Sequence, residues 1–315
     1  LAATKQNIKS LICLPSGAPI SKVEATKGFG AEVCLVEGVY DDAYKKALEL
    51  KEEYGLTFIH PFDDEDVIAG QGTIGLEILE ELDDLDAVIV PIGGGGLISG
   101  VAFAIKSLRP DVKVYGVQAA GAASMFNSVK KGKIETLKGV STFADGIAVK
   151  SPGENTFYYC SNYVDEIVTV NEDEISTAIL TMMEQQKTIA EGAGAVSVAA
   201  VLSGKLPIKG KKVVCVVSGG NIDVTILSRV IERGLINSGR TYQLCVELSD
   251  RPGQLYKVSG IISECGGNVI SVHHERASET KDINGCYLRI VIETRNFEHI
   301  EQIRDKLTSK GFRLV

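Results

Sequence analysis

Short apolar runs rich in β-branched residues punctuate the first three-quarters of the chain: SLICLP, AEVCLVE, TFIHPF, AVIVPIGG, VKVYGVQ, EIVTV and KVVCVVSGG. Between most of them lie stretches with helical spacing, such as Val23 to Phe29 and Tyr40 to Tyr54. A strand buried on both faces reads as an unbroken apolar run. The alternation therefore predicts an α/β domain built on an open, mostly parallel sheet. Ligands of such sheets sit beyond the carboxyl ends of the strands. At the front, LAATKQNIKSLICLPSGAP reads as the last turns of a helix (Leu1 to Gln6) leading into a strand (Ser10 to Leu14), as in the middle of a domain.

The pattern changes near residue 235. After the polar connection Leu235-Ile236-Asn237-Ser238-Gly239-Arg240, the last 75 or so residues predict a strand (Tyr242 to Leu248), a helix (Gln254 to Cys265) and a strand (Asn268 to Arg276). A further strand (Cys286 to Glu293), a helix (Phe297 to Ser309) and a short strand (Phe312 to Val315) complete the tail. That is a βαββαβ unit of ferredoxin-like type, a separate domain.

Composition narrows the functional classes. A chain of 315 residues with 44% hydrophobic content supports two or three domains. The net charge of −8, with 33 basic residues that form no long cluster, argues against a nucleic-acid surface. No apolar run approaches the roughly 20 residues of a membrane-spanning helix, and Leu1 opens no secretory signal, so a cytoplasmic protein with no membrane partner is expected. The seven cysteines (Cys13, Cys34, Cys160, Cys215, Cys245, Cys265, Cys286) are widely spaced without a C-x-x-C pair and read as reduced structural thiols.

The stretch VIVPIGGGGLISG sets four glycines between a buried strand and a helix expected from about Leu97. A Walker loop would end Gly-Lys-Ser/Thr, and this one ends Leu97-Ile98-Ser99-Gly100. The dinucleotide pattern G-x-G-x-x-G fits no register, and Gln118 stands where an acidic ribose clamp belongs. Bare backbone N–H groups at a helix N-terminus suit one compact dianion. A glycine-rich turn for close helix packing is the other explanation. The cluster Ser218-Gly219-Gly220-Asn221 follows a second buried strand, where a satisfied turn serine alone explains it.

Taken in order, PSGAPISKVEATKGFGAEVCL, DVIAGQGTIGLEIL, VPIGGGGLISGVA, FADGIAVKSPG, AEGAGAVSVAA and VVSGGNID resemble the threonine dehydratase (threonine ammonia-lyase) group of fold-type II pyridoxal-phosphate enzymes. The tail, with LSDRPGQL followed by ECGGNVI, resembles an ACT domain, an amino-acid-binding regulatory module. The resemblance implies a catalytic domain over 1–235, with 1–56 from the small subdomain and 57–235 the large one. A linker over 236–240 and an ACT domain over 241–315 follow. It implies that Gly93, Gly94, Gly95, Gly96 and Leu97 hold the phosphate of pyridoxal 5'-phosphate and that Ser218 faces its pyridine nitrogen. A neutral hydroxyl there, unlike a carboxylate, does not enforce a protonated ring, which favours β-elimination over transamination. The implied reaction converts L-threonine to 2-oxobutanoate and ammonia, with L-serine as a second substrate giving pyruvate.

Asp250, Gly253 and Asn268 would take the amino and carboxylate groups of an effector amino acid, isoleucine or valine by analogy, in a homodimer or homotetramer. The family's Schiff-base lysine in an S-F-K-x-R-G-A segment and its S-A-G-N-H stretch do not occur. Lys5, Lys9 and Lys22 do not stand in that context. Leu1-Ala2-Ala3 matches the helix after the second of these, so roughly 80 residues are expected ahead of it in a complete member. No catalytic residue is assigned, and these 315 residues alone are expected to be inactive. A non-catalytic amino-acid sensor that lacks the lysine is the alternative. Relatives such as serine racemase hold a divalent cation with an acidic residue where this chain has Gln118, so no metal site is expected. His60 reads as a packed or capping residue, and His273 and His274 as neighbours on opposite faces of a strand, poorly placed to share a metal.

Overall fold

A computed structural model describes residues 1–18, 20–38, 40–276 and 285–315. Two compact units divide it, Leu1–Pro61 and Phe62–Val315. The first contains α1 (Ala2–Lys5), β1 (Leu11–Pro15), α2 (Ile20–Gly28), β2 (Glu32–Val36) and α3 (Tyr40–Tyr54). Strands β1 and β2 pair in parallel, Leu11 opposite Glu32 through Pro15 opposite Val36. The expected strand TFIHPF does not form. Phe58 and His60 turn their rings edge-on to Tyr44 of α3, with centroids 5.6 and 6.0 Å away. Ile59 between them is exposed, and Pro61 cannot donate to a ladder. Alternation without a pairing partner leaves an extended packed segment. His60 is accordingly a packed residue.

The second unit opens with α4 (Glu65–Glu81), β3 (Ala87–Pro91), α5 (Gly96–Leu108), β4 (Lys113–Ala119), α6 (Ser124–Lys131), α7 (Glu154–Tyr163) and β5 (Glu166–Val170). It continues with α8 (Glu172–Thr181), α9 (Gly192–Leu202), β6 (Val213–Cys215) and α10 (Val224–Asn237). The strands form a parallel sheet in the order β5-β4-β3-β6. All five residues of the central β3 are buried, with Ala87 and Ile89 facing one apolar layer and Val88 and Val90 the other. That two-sided burial is what the unbroken apolar runs require. Among the described residues no helix is long and apolar enough to cross a membrane.

Helix α10 runs through Ile236 and Asn237, so the first part of the expected 236–240 linker is helical. Beyond it lie β7 (Thr241–Ser249), α11 (Gln254–Glu264), β8 (Asn268–Glu275), β9 (Gly285–Glu293), α12 (Phe297–Ser309) and β10 (Arg313–Leu314). This βαββαβ tail forms an antiparallel sheet in the order β10-β7-β9-β8, the split arrangement of ferredoxin-like units. Its core sets Leu244, Val246 and Leu248 of β7 and Leu288, Ile290 and Ile292 of β9 against Val258, Ile262 and Ile303 of the two helices.

One ion cluster ties the parallel sheet together at the end where its strands begin. Asp165 receives Lys106 Nζ at 2.6 Å, Lys113 Nζ at 2.7 Å and the Val114 N–H at 2.8 Å. Burial pushes the Asp165 carboxyl up, but the two ammonium groups and the N–H outweigh it and hold it below the usual range. A depressed folded-state value gives stability that is present above the unfolded value and lost as pH falls through the folded one. Asp165→Asn is therefore expected to cost about 1–2 kcal/mol at neutral pH, allowing for solvent screening. Urea melts should show the gap to the parent closing as pH falls below about 4.

Candidate active site

Strand β3 ends at Pro91, and the Ile92 N–H still bonds Val117 O of β4 at 2.8 Å. The chain then turns through Gly93, Gly94 and Gly95, the last at φ +103°, and enters α5 at Gly96. The first loop carbonyl to accept from the helix is Gly95 O, from Ser99 N at 3.0 Å. The six N–H groups from Gly93 through Ile98 have no acceptor among the described residues. Gly94, Gly95, Gly96 and Ile98 are buried. Buried backbone donors are almost always paired, because an orphaned one forfeits a hydrogen bond. A consecutive row of them at a helix N-terminus is a concave positive site for an anion.

Close packing accounts for the missing side chains but not for the open amides. A Cβ on Gly94 would lie 2.4 Å from the Phe62 ring, and one on Gly96 2.9 Å from Phe62 O. A Cβ on Gly95 would lie 2.7 Å from Met125 Cε, and one on Gly93 3.1 Å from Ile147 Cα. The loop is also pinned by its carbonyl side. Thr156 Oγ1 donates to Gly94 O at 2.7 Å in a buried contact and accepts from Gly153 N at 3.1 Å. Asp63 accepts from Glu154 N and Thr156 N, both at 3.1 Å, capping α7, while its neighbour Asp64 caps α4 through Asp66 N at 2.9 Å.

Glu191 anchors the other side. Its N–H donates to Gly219 O at 3.0 Å, and its Oε2 accepts from Asn221 N at 3.0 Å. A Cβ on Gly219 would fall 2.5 Å from Glu191 Oε1, and one on Gly146 3.0 Å from Ala193 Cβ. Gly93 in turn faces Gly146 O, at 3.3 Å from a Cβ there. The segments GGGG, DGI, EGAGA and SGGN thus meet in one place beyond the carboxyl ends of β3 and β6. Ser218 lies next to Gly219 and is exposed. Val216, two residues earlier, is held by Ser197 Oγ at 2.8 Å. Gln118 is buried and engaged within its own turn, donating to Ala122 O at 3.2 Å and accepting from Phe126 N at 2.8 Å.

In the tail, Asp250 follows β7 and is ion-paired with Arg276, Nε to Oδ2 at 2.9 Å. Gly253, at φ +89°, caps α11 with open space around it. Asn268 opens β8, with its Nδ2 3.2 Å from Glu293 Oε2. In the ladder Asn268 lies opposite Glu293, which lies opposite Thr241, whereas Asp250 follows Ser249 opposite Gly285. Asn268 and Asp250 therefore occupy opposite ends of the sheet within one chain.

Residues 1–219 match the family described as pyridoxal-phosphate dependent enzyme. The chain belongs to that family. It is 50% identical to the L-threonine ammonia-lyase of Thermotoga maritima, over 99% of this chain and 78% of that protein. It is 47% identical to that of Geobacter sulfurreducens, over 97% and 76%. Among solved structures, it resembles the processed form of threonine deaminase isoform 2 from Solanum lycopersicum (TM-score 0.71, 42% identity, 74% of this chain and 68% of that one). Serine racemase from Dictyostelium discoideum is also similar (TM-score 0.66, 36% identity, 71% and 72%). Pyridoxal phosphate is the cofactor of this pyridoxal-phosphate family, and the loop fits such a group. The oxygens of a phosphate dianion only accept, and the Gly93–Ile98 amides are donors without acceptors among the described residues.

Phe62, Asp63, Thr156 and Glu191 have no assigned role in the sequence reading. Asp63 had a signal: two aspartates precede one helix, and a single one suffices to cap it. Glu191 stands inside the AEGAGA motif. Nothing local marks Thr156.

Proposed function

We propose that the protein is an L-threonine ammonia-lyase, with L-serine as a second substrate. The observation that carries this reading is the row of six amides at the end of β3 that have no acceptor among the described residues, in a chain half identical to a protein of that name. The amides of Gly93, Gly94, Gly95, Gly96 and Leu97 bind the phosphate, and the α5 N-terminus adds favourable potential. Ser218 presents a neutral hydroxyl to the pyridine nitrogen. The Glu191 bonds to Gly219 and Asn221 keep that turn rigid. When bound, the cofactor supplies an electron sink for the pair left at the substrate α-carbon. A hydroxyl, unlike a carboxylate, leaves the sink moderate, which favours departure of the β-hydroxyl over reprotonation. No residue described above is assigned the α-proton.

Joined to a family segment that carries the S-F-K-x-R-G-A lysine and supplied with pyridoxal phosphate and L-threonine, the protein is expected to release 2-oxobutanoate and ammonia in equal amounts, and borohydride should fix the cofactor to that lysine, whereas residues 1–315 alone should do neither. Cofactor binding without keto acid would favour the amino-acid sensor. Absence of both fixed cofactor and keto acid from the lysine-bearing protein would overturn the lyase reading.

The tail is proposed as an ACT regulatory domain. With Asn268 and the Asp250–Gly253 turn at opposite ends of one sheet, an effector touching both needs two tails side by side, one contributing each end. That arrangement requires a homodimer or homotetramer, with isoleucine or valine shifting the threonine saturation curve only if the two states differ in affinity.

A further inference from the structure

We propose that Asp250, His274 and Cys286 form a binding site for a borderline divalent cation of the zinc class at one end of the tail sheet. No role in the reaction above draws on it. The site follows from strand register. Cys286 pairs opposite Leu248 of β7, and His274 pairs opposite Leu288 of β9. Side chains two apart on a strand share a face, so Cys286 and Leu288 point the same way, and His274 points with them. Asp250 lies two residues beyond Leu248. The three residues therefore project from adjacent strand ends toward the face covered by α11 and α12, where Leu248, Leu288 and Ile290 are buried. His273 is opposite Arg289 and faces the other way.

The donor atoms are already gathered. His274 Nε2 is 3.1 Å from Cys286 Sγ and 4.0 Å from Asp250 Oδ1, and all three ligand atoms lie within 4.8 Å of one another. Tetrahedral zinc, with bonds of about 2.0–2.3 Å to oxygen, nitrogen and sulfur, separates its ligands by roughly 3.3–3.6 Å. The two measured separations bracket that range, and both Asp250 and His274 are exposed enough to adjust. One thiolate, one imidazole and one carboxylate form the mixed set that zinc and cobalt(II) accept and that magnesium and calcium do not. Arg276 occupies the far oxygen, Oδ2, of Asp250 at 2.9 Å and fixes the carboxylate with Oδ1 toward His274. Cys286 is buried, and burial first, then the Asp250 carboxylate, push its thiol up, while Arg276 opposes them. Binding thus exchanges the Cys286 proton, released to solvent, for a sulfur–metal bond. Three protein ligands leave the fourth position to water or another small donor.

The test is a cobalt(II) titration of the metal-stripped full chain, followed by absorbance. The expected result is a thiolate-to-cobalt band in the near ultraviolet that saturates at one equivalent and vanishes on addition of zinc. His274→Ala, at an exposed position where folding is little affected, should weaken binding by more than about 100-fold. Cys286→Ser should remove the band, and His273→Ala should leave both band and affinity as in the parent. The absence of a band, unchanged binding in His274→Ala, or loss of the band in Cys34→Ser with retention in Cys286→Ser would each overturn the proposal. In those cases the trio is only a thiol–imidazole contact beside an ion pair.

Discussion

Gly94→Asp is expected to weaken pyridoxal phosphate binding by roughly 10²–10³-fold, from the 3–4 kcal/mol that like charges about 4–5 Å apart cost near a protein surface. Two causes act together. The new carboxylate would sit among amides that otherwise serve a phosphate, and its Cβ would fall 2.4 Å from the Phe62 ring. Gly94→Ala separates them, since it keeps the clash and omits the charge. Spectroscopic cofactor titration should rank the parent above Gly94→Ala and Gly94→Ala above Gly94→Asp. Equal binding by the parent and Gly94→Asp would remove the phosphate from this loop.

The residues of that loop could be read in the sequence because four glycines after a buried strand have few uses. The clamp around them could not. Phe62, Met125, Ile147 and Thr156 converge on the loop from four separate segments, and each is unremarkable in its own neighbourhood. The parallel sheet was legible for the same physical reason that it is stable: strands covered on both faces carry few polar positions, and all five residues of β3 are apolar and buried. TFIHPF shows the limit, since a β-branched alternation specifies a strand only where another strand offers a ladder, and here the rings pack on Tyr44 instead. The tail's element order was legible to within a residue or two. Its register was not, and register brings His274 to Cys286.

Gly100→Ala is the second large effect, and two opposing terms decide its sign. Replacing a mid-helix glycine by alanine gains about 1 kcal/mol of helix propensity. Here the added Cβ would lie 2.1 Å from Ile68 O and 2.5 Å from Gly72 N, backbone atoms of α4 that have no rotamer to give. Gly72 and Gly75 meet Gly100 O and Val101 O from the other side, at 3.2 and 3.0 Å from their own would-be Cβ atoms, so the two helices touch backbone to backbone. Relief requires them to part by roughly 1 Å along a close-packed contact, an overpacking cost we place at about 3 kcal/mol or more. The clash wins, and Gly100→Ala should lower the denaturant midpoint markedly. Gly75→Ala, whose Cβ would come no closer than 3.0 Å to Val101 O, against 2.1 Å from Ile68 O at Gly100, should cost far less. The displacement also reaches the site, because Gly100 lies one turn into α5, the helix whose first N–H groups complete the anion-binding row. The folded fraction of Gly100→Ala is therefore expected to bind pyridoxal phosphate more weakly than Gly75→Ala does. A variant as stable and as well loaded as the parent would show that the α4–α5 contact does not position the loop.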